Sequence, residues 1–171
     1  MYLKGLNFGS FVFFSFLVFT ACSVTGSNAF RGERVQSNSK EARLRAEIVD
    51  YAEQYVGLKY KYAGREPKTG FDCSGFTCYV LGHFDIAMSP SSRDQANQGK
   101  KIDVEDTQPG DLIFFWRSKG GRIFHVAMVH SNEGDDVIKI IHSTNRGVVI
   151  DDLMRNSYWS PKIAYAKRVI D

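Results

Sequence analysis

The sequence predicts an α+β domain in which N-terminal helices pack on an antiparallel β-sheet. Segments with helical periodicity come first along the mature chain, and five consecutive segments with strand periodicity follow them. Only short turns separate the middle strands, at residues 119–122 and 131–136. Helices followed by consecutive strands indicate an α+β arrangement with a mostly antiparallel sheet.

The composition is that of an ordinary globular domain. Hydrophobic residues make up 43% and charged residues 24% of the 171 residues, which excludes disordered, collagen-like and coiled-coil chains. The formal net charge of +3 is too small to indicate a nucleic-acid partner, and we find no basic stripe or nucleic-acid motif. We therefore expect no binding to nucleic acid, and one domain with a single core.

The first 21 residues are typical of an export signal. Lys4 is their only charged residue, and an apolar stretch follows over residues 8–19. This stretch is too short to favour a transmembrane helix, which needs about 20 apolar residues. Small residues follow it and lead directly to Cys22. We predict that residues 1–21 are a signal peptide of the lipoprotein type.

Two routes of signal processing are open. Residues 19–22 resemble a bacterial lipobox, in which Cys22 would carry the lipid, although Phe19 stands where the pattern prefers Leu. The other route is ordinary cleavage after Ala29, within a small-x-small sequence. We favour the first, because a cysteine directly after a signal's apolar run has few other uses. It predicts a lipid-anchored protein of the cell envelope, on the outer membrane facing the periplasm in a Gram-negative cell.

A flexible tether and a first helix are predicted next. Residues 22–40 are polar and lack a hydrophobic period, so we expect a tether there and a folded domain over residues 41–171. Ser39 is the predicted cap of the first helix and Gly57 its predicted stop. The helix is indicated by an apolar stripe at four-residue spacing, formed by Leu44, Ile48, Ala52 and Tyr55.

Two further helices precede the strands. The second runs from Cys73 to about Leu81, with Asp72 at the N-cap position. A short third helix, capped by the serines at 91 and 92, extends through Gln98. A turn at residues 108–111 then begins the strand region. The predicted strands are 112–116, 123–130, 137–142, 148–150 and 163–170.

Two thiols lie in the domain, and they cannot form a disulfide. Cys73 and Cys78 are five residues apart on one helix, which separates their Cα atoms by more than the bridging limit of about 7 Å. Cys78 is most simply a small buried residue. Cys73 lies in the first helical turn, where the free N–H groups and the helix dipole favour a thiolate. Its small neighbours Ser74 and Gly75 leave room for a substrate.

Two of the four histidines are predicted to stand side by side. If the strands 123–130 and 137–142 form a hairpin, then His125 lies directly opposite His142, with Cβ atoms about 5 Å apart. His130 then points to the other face, and His83 lies near the end of the second helix, in solvent. A single histidine on an apolar face is usually a hydrogen-bonded core residue, but two such rings each need a polar partner.

These residues predict a catalytic group with Cys73 as nucleophile, His125 as base, and His142 orienting the base. The rival interpretation is a zinc site formed by the same three side chains. Structural zinc sites usually have four ligands arranged as close cysteine or histidine pairs, and no such pair exists here. We therefore predict neither a metal nor a cofactor.

Several motifs resemble the NlpC/P60 family of bacterial cell-wall cysteine peptidases. The resemblance covers roughly residues 45–170, in the family's order and spacing. The matching stretches are GLKYKYAG at 57–64, FDCSGF at 71–76, QPGDLIFF at 108–115, HVAMVH at 125–130 and IH at 141–142. It implies a papain-like fold, in which a helix carries Cys73 and an antiparallel sheet carries the two histidines.

The resemblance also implies roles for residues around the nucleophile. Tyr60 is expected beside the thiol, where its hydroxyl helps to hold the oxyanion, although Lys59 replaces the family's usual proline. Asp72 and Ser74 are candidate ligands for the free amino end of the substrate, and helix capping is the alternative role of Asp72. Arg93 is a candidate ligand for a substrate carboxylate, with an ordinary surface position as its alternative.

Aromatic residues are candidates for the wall of a groove, with the core as their alternative location; they are Tyr62, Trp116 and Trp159. The expected function is cleavage of peptidoglycan stem peptides, at the bond between γ-D-glutamate and a diamino acid. The alternatives are a catalytically silent peptidoglycan-binding lipoprotein, and an acyltransferase or amidase on the same scaffold.

Overall fold

The computed structural model describes residues 27–170. In this part of the chain, the α-helices are α1 (Ser27–Glu53), α2 (Cys73–Gly82) and α3 (Ser92–Gln95), with a 3-10 turn at Ser160–Lys162. The strands are β1 (Arg65–Glu66), β2 (Gly70–Phe71), β3 (Lys100–Ile102), β4 (Leu112–Trp116), β5 (Ile123–Asn132), β6 (Ile138–Thr144), β7 (Gly147–Asp152) and β8 (Ile163–Arg168). The predicted signal peptide and Cys22 lie outside the described residues.

A six-stranded antiparallel sheet forms the centre of the domain. Its strand order is β3-β8-β4-β5-β6-β7, while β1 and β2 form a separate small ribbon. Every neighbouring pair in the six-stranded sheet is antiparallel. The predicted α+β class is therefore confirmed, and the strands that escaped prediction are the short ones: β1, β2 and β3.

The long helix α1 begins earlier than expected. It starts at Ser27, so residues 27–40 of the predicted tether are helical. Ser39 is not a cap, because it lies inside the helix and its hydroxyl donates to the Gln36 carbonyl at 2.8 Å. The hydrophobic period was a poor guide here, because it reports packing, whereas a helix that is already nucleated extends wherever its residues tolerate helical geometry.

Buried charges attach α1 to the sheet. Arg45 is almost fully buried, and its guanidinium donates to Asp111 at 3.0 Å and to the Pro109 carbonyl at 2.9 Å. Arg168 of β8 donates to the other oxygen of Asp111 at 2.9 Å. One fully buried carboxylate thus joins α1, the start of β4 and β8, and both of its oxygens accept charge-assisted hydrogen bonds.

The sheet is covered on both faces. One face packs against α1 and α2 through a cluster that includes Phe76, Val126 and Ile141. The alternate residues of the same strands form a second cluster with Leu153 and Trp159, which follow β7. Within residues 27–170, we find no helix that combines the length and the apolar character needed to cross a bilayer.

Candidate active site

The side chain of Asp72 caps the helix that carries Cys73. Its Oδ1 atom accepts the N–H of Gly75 at 2.6 Å and the hydroxyl of Ser74 at 3.0 Å. The cap fixes the start of α2, so Cys73 is the first helical residue, as predicted. Ser74 is buried, and its hydroxyl is committed to this cap.

A loop packs tightly against the first turn of α2 and brings Tyr60 to the site. A Cβ atom on Gly75 would lie 2.0 Å from the carbonyl oxygen of Gly64, so only glycine allows this approach. Tyr60 forms a parallel bridge with Phe71, just before the cap residue. Burial raises the pKa of Tyr60, and the neighbouring Cys73 raises it further. The phenol therefore remains protonated and can donate a hydrogen bond.

The thiol of Cys73 is protonated in the resting protein. Burial raises its pKa to about 11, although the backbone N–H groups of Val126, Ser74 and Cys73 itself favour the thiolate. The N–H groups at the helix N-terminus favour the thiolate, as expected, but burial has the larger effect on the pKa of Cys73. The thiol lies beside the amide of Val126, the residue that follows His125.

The two predicted histidines are in direct contact. The Nε2 atom of His125 lies 2.9 Å from the Nδ1 atom of His142, and both rings are buried. Their pairing differs from the prediction by two residues, since Val129 pairs with Ile140 and Met128 with Ile141. The two histidines are therefore diagonal rather than opposite neighbours. They still share one face, because side chains alternate with a period of two.

An aspartate extends this pair into a series. His142 Nε2 lies 3.0 Å from the Oδ2 atom of Asp151 on β7. Arg146, in the turn between β6 and β7, also donates to this carboxylate. Hydrogen bonding from His142, and then from Arg146, lowers the pKa of Asp151, so its carboxylate is ionised. The ionised carboxylate can only accept, which assigns the proton of His142 to Nε2.

The position of the ring proton on His125 follows from that assignment. His142 with its proton on Nε2 offers Nδ1 as an acceptor, so His125 must donate from its own Nε2. The Nδ1 atom of His125 then carries a lone pair and can act as a base. Burial, together with the proximity of His142, holds the pKa of His125 well below 6.5. Burial also lowers the pKa of His142, although Asp151 opposes the shift. Both rings are therefore neutral at pH 7.

Trp159 fixes the plane of the base. Its ring stacks on His125, with centroids 4.3 Å apart and planes 24° apart. Cys73, His125, Tyr60 and Trp159 line one open cleft of about 740 Å³. Its outer wall carries two exposed tyrosines, Tyr62 and Tyr158, and its rim includes Arg117 and Arg146.

Residues 57–168 match the model of the NlpC/P60 family. The chain belongs to the NlpC/P60 family. A crystal structure of an NlpC/P60 family protein from Bacillus cereus superposes with a TM-score of 0.65 at 35% identity, covering 74% of this chain and 40% of that one. The NlpC/P60 domain of the peptidoglycan hydrolase SagA superposes with a TM-score of 0.58 at 33% identity, covering 72% of this chain and 97% of that domain.

Two curated relatives also match this NlpC/P60 chain. A γ-DL-glutamyl hydrolase of Bacillus subtilis is 37% identical over 125 residues, which are 71% of this chain but 29% of the hydrolase. A probable endopeptidase of Escherichia coli, NlpC, is 32% identical over 126 residues, which are 72% of this chain and 77% of the relative. The expected papain-like NlpC/P60 fold is confirmed.

The predicted site residues of the NlpC/P60 domain fall into three groups. Cys73, His125 and Tyr60 line the cleft, and His142 supports His125 from behind. Asp72 and Ser74 form the cap of α2 and are not among the residues that line the cleft. Arg93 lines a neighbouring groove.

The rival zinc site does not fit the histidine geometry. Nδ1 of His142 and Nε2 of His125 are directed at each other at hydrogen-bond distance, and the other nitrogen of His142 is bonded to Asp151. His142 therefore has no ring nitrogen left for an ion that Cys73 would share.

Sequence reasoning missed Asp151 and Arg146. The signal for Asp151 is the tight turn between β6 and β7, at residues 145–146. This turn places His142 opposite Val149 and Ile140 opposite Asp151, so Asp151 is a diagonal neighbour of His142. The pairing set by this turn, applied to the sequence alone, would therefore have indicated Asp151 as a neighbour of His142.

The two buried neutral imidazoles predict a loss of stability in mild acid. Their folded-state pKa values lie below the unfolded value of about 6.5, so the unfolded chain binds more protons as the pH falls below it. We expect the free energy of unfolding to decrease from pH 6.5 downwards, measured by urea denaturation at several pH values. His125→Asn should flatten this dependence, and His83→Asn, which removes an exposed imidazole, should retain it. An unchanged pH dependence in His125→Asn would contradict the assignment.

The raised thiol pKa predicts how Cys73 reacts with small alkylating agents. Because the reactive thiolate is the minor form, the rate of iodoacetamide modification should rise about tenfold per pH unit, without levelling off between about pH 7 and 9.5. Mass spectrometry of the peptide containing Cys73 measures this rate separately from that of Cys78. A plateau near neutral pH would instead indicate a preformed thiolate–imidazolium pair.

Proposed function

We propose that this chain is an exported cysteine endopeptidase that hydrolyses peptidoglycan stem peptides. The observation that carries the proposal is a single cleft lined by both the Cys73 thiol, at a helix N-terminus, and His125, the first member of a His–His–Asp series whose Nδ1 can accept a proton. The names of the relatives support the same activity: the E. coli protein is a probable endopeptidase, and the SagA domain comes from a peptidoglycan hydrolase.

In the first half of the reaction, the thiol attacks the scissile carbonyl. His125 Nδ1 takes the proton from Cys73 as the sulfur bonds to the carbonyl carbon, and the carbonyl π electrons move to oxygen. The N–H of Cys73 and the hydroxyl of Tyr60 donate to this oxyanion, and one such donor contributes about 3 kcal/mol. Asp151 stabilises the positive charge that forms on the histidine pair.

In the second half, the bonds to nitrogen and sulfur break in turn. His125 returns its proton to the leaving amine, the C–N bond breaks, and a thioester with Cys73 remains. His125 Nδ1 then deprotonates a water molecule, which attacks the thioester carbonyl. The C–S bond breaks, the acid product leaves, and the sulfur regains its proton.

We further propose that the bond cleaved joins γ-D-glutamate to a diamino acid. A γ-D-glutamyl-L-lysine dipeptidyl-peptidase of B. cereus, 33% identical over 111 residues, carries such a linkage in its name. The name of the B. subtilis γ-DL-glutamyl hydrolase supports the γ-glutamyl part alone. Lipidation of Cys22 after removal of residues 1–21 would hold the domain at the membrane, close to this substrate.

The nucleophile is tested by removing each thiol separately. Cys73→Ala should lower kcat for purified muropeptides by roughly 10⁴-fold or more, since no other group can form the acyl intermediate. Cys78→Ala is the matched control, because this thiol is hydrogen-bonded to Gln95 and to the Ser89 carbonyl and does not line the cleft. Mass spectrometry of the digests measures both rates and identifies the cleaved bond. Activity retained in Cys73→Ala would refute the proposal.

The role of Asp151 is tested by removing its charge while keeping a hydrogen-bond acceptor. Asp151→Asn should lower kcat by roughly tenfold, the equivalent of about 1.5 kcal/mol for one charge-assisted hydrogen bond. The acid limb of the pH–rate profile should also move to lower pH, because the carboxylate raises the pKa of His142. Asp152→Asn, one residue away, should do neither. A lower kcat with an unmoved acid limb would indicate a purely structural role.

A further inference from the structure

A second groove, rich in arginine, opens beside the catalytic cleft. It has a volume of about 620 Å³, and its walls carry Arg93, Arg117 and Arg122 together with the serines at 91, 92 and 118. No aspartate or glutamate lines it. The positive charges come from two separate segments of the chain, which the fold brings together around one space.

The helix α3 and the turn between β4 and β5 carry the three arginines of the groove. Arg93 belongs to α3, whose cap is Ser91. Arg117 and Arg122 flank the turn between β4 and β5, where the N–H of Arg117 donates to the Arg122 carbonyl at 3.2 Å. The Arg117 guanidinium also lies over the Phe124 ring, 5.2 Å from its centroid. Stacking occupies the face of a guanidinium and leaves its N–H edge free for an anion.

Among the side chains that the structure describes, at residue 36 and residues 38–170, the three guanidinium groups lack acidic partners. The ion pairs of this part of the chain involve other arginines, such as Arg45, Arg146 and Arg168. Three like charges around one groove repel each other, and an anion in the groove would relieve that repulsion. Carboxylates suit guanidinium groups well, because each can accept two parallel N–H bonds.

The groove is continuous with the cleft. Tyr62, Arg117 and Phe124 line both spaces, and Phe124 directly precedes the base His125. A peptide that extends from Cys73 past Phe124 therefore enters the arginine-lined space. A γ-linked glutamyl residue is suited to such a path, because its peptide bond uses the side-chain carboxyl and leaves the α-carboxylate free.

We propose that the arginine groove is a subsite for free carboxylates of an acidic, γ-linked peptide substrate. The inference rests on the proposed function for its substrate, and it adds the charge requirement. Each guanidinium–carboxylate contact lies near the surface and is therefore weakened by salt. The groove should consequently contribute most at low ionic strength, through substrate binding rather than through the chemical step.

The test compares substrates that differ only in charge. The peptide L-Ala-γ-D-Glu-diaminopimelate-D-Ala is prepared with all carboxylates free, with the glutamate α-carboxylate amidated, and with the C-terminal carboxylate amidated. For the free peptide, the triple variant Arg93→Gln, Arg117→Gln, Arg122→Gln should lower kcat/KM at least tenfold, mainly through KM. For one of the two amidated peptides, the wild type should already show this loss and the triple variant should add less than twofold.

A control variant separates the local effect from net charge. Arg43→Gln, Lys68→Gln and Lys100→Gln together remove three exposed positive charges outside both spaces, and should change kcat/KM less than twofold. Raising the salt concentration from 50 to 300 mM should shrink the difference between the triple variant and the wild type. Equal losses on all three peptides, or no loss, would overturn the proposal.

Binding to an inactive protein distinguishes this proposal from the proposed function. Calorimetry with Cys73→Ala should show weaker binding of the free peptide when the three arginines are also replaced. If the wild type cleaves no peptide but binding remains arginine-dependent, the proposed function fails and the subsite stands. If a glycerol-phosphate polymer binds in an arginine-dependent manner and the peptide does not, the groove serves another anionic polymer and the proposal is overturned.

Discussion

The close contact between Gly64 and the first turn of α2 is the constraint on which the site depends. The Gly64 carbonyl accepts the N–H of Asp72 at 3.0 Å, and a side chain on Gly75 would collide with it. The loop that contains Tyr60 is thereby pressed against the helix N-terminus that carries Cys73. Cys73 and Tyr60, the proposed nucleophile and oxyanion donor, are thirteen residues apart along the chain, so without this backbone contact neither would be positioned relative to the other.

The proposed base, His125, is held differently, by a diagonal series of polar side chains across three strands. His125, His142 and Asp151 lie on β5, β6 and β7, and each contacts the next across a strand boundary. Burial keeps both rings neutral and the thiol protonated, so Asp151, at the far end from Cys73, is the ionised member of the Cys73, His125, His142 and Asp151 set. The orientation of every proton in the series follows from that one carboxylate.

The sequence predicted that His125 and His142 share one face of the sheet, but it did not predict the exact register of β5 and β6. This difference has a physical reason. The face on which His125 and His142 lie depends only on a period of two, and it survives an even shift of register. The exact partners depend on where the β5–β6 turn lies, and β5 continues to Asn132, two residues beyond its predicted end. The extra residue that β5 takes between Val129 and Ser131 then offsets part of this shift, and no residue there indicates a bulge. The protonation state of Cys73 was harder to predict. The local sequence indicates the helix N-terminus, which favours a thiolate, but it does not indicate the burial in the folded protein, which opposes it. The helix over residues 27–40 was missed for the converse reason, since it lacks the apolar period that marks packed helices.

The division of charge between the two neighbouring spaces has a mechanistic consequence. Arginines placed against His125 would lower its pKa further and weaken it as a base, since a nearby positive charge disfavours the imidazolium. In this chain Arg93 and Arg122 line only the neighbouring groove, whereas Arg117 lies where the groove joins the cleft. Under the proposed subsite, the groove would attract an acidic peptide mainly from outside the cleft. Arg146 is the cation nearest the series, and its charge is offset by Asp151. The proposed roles thus assign the attraction of substrate and the transfer of protons to different residues.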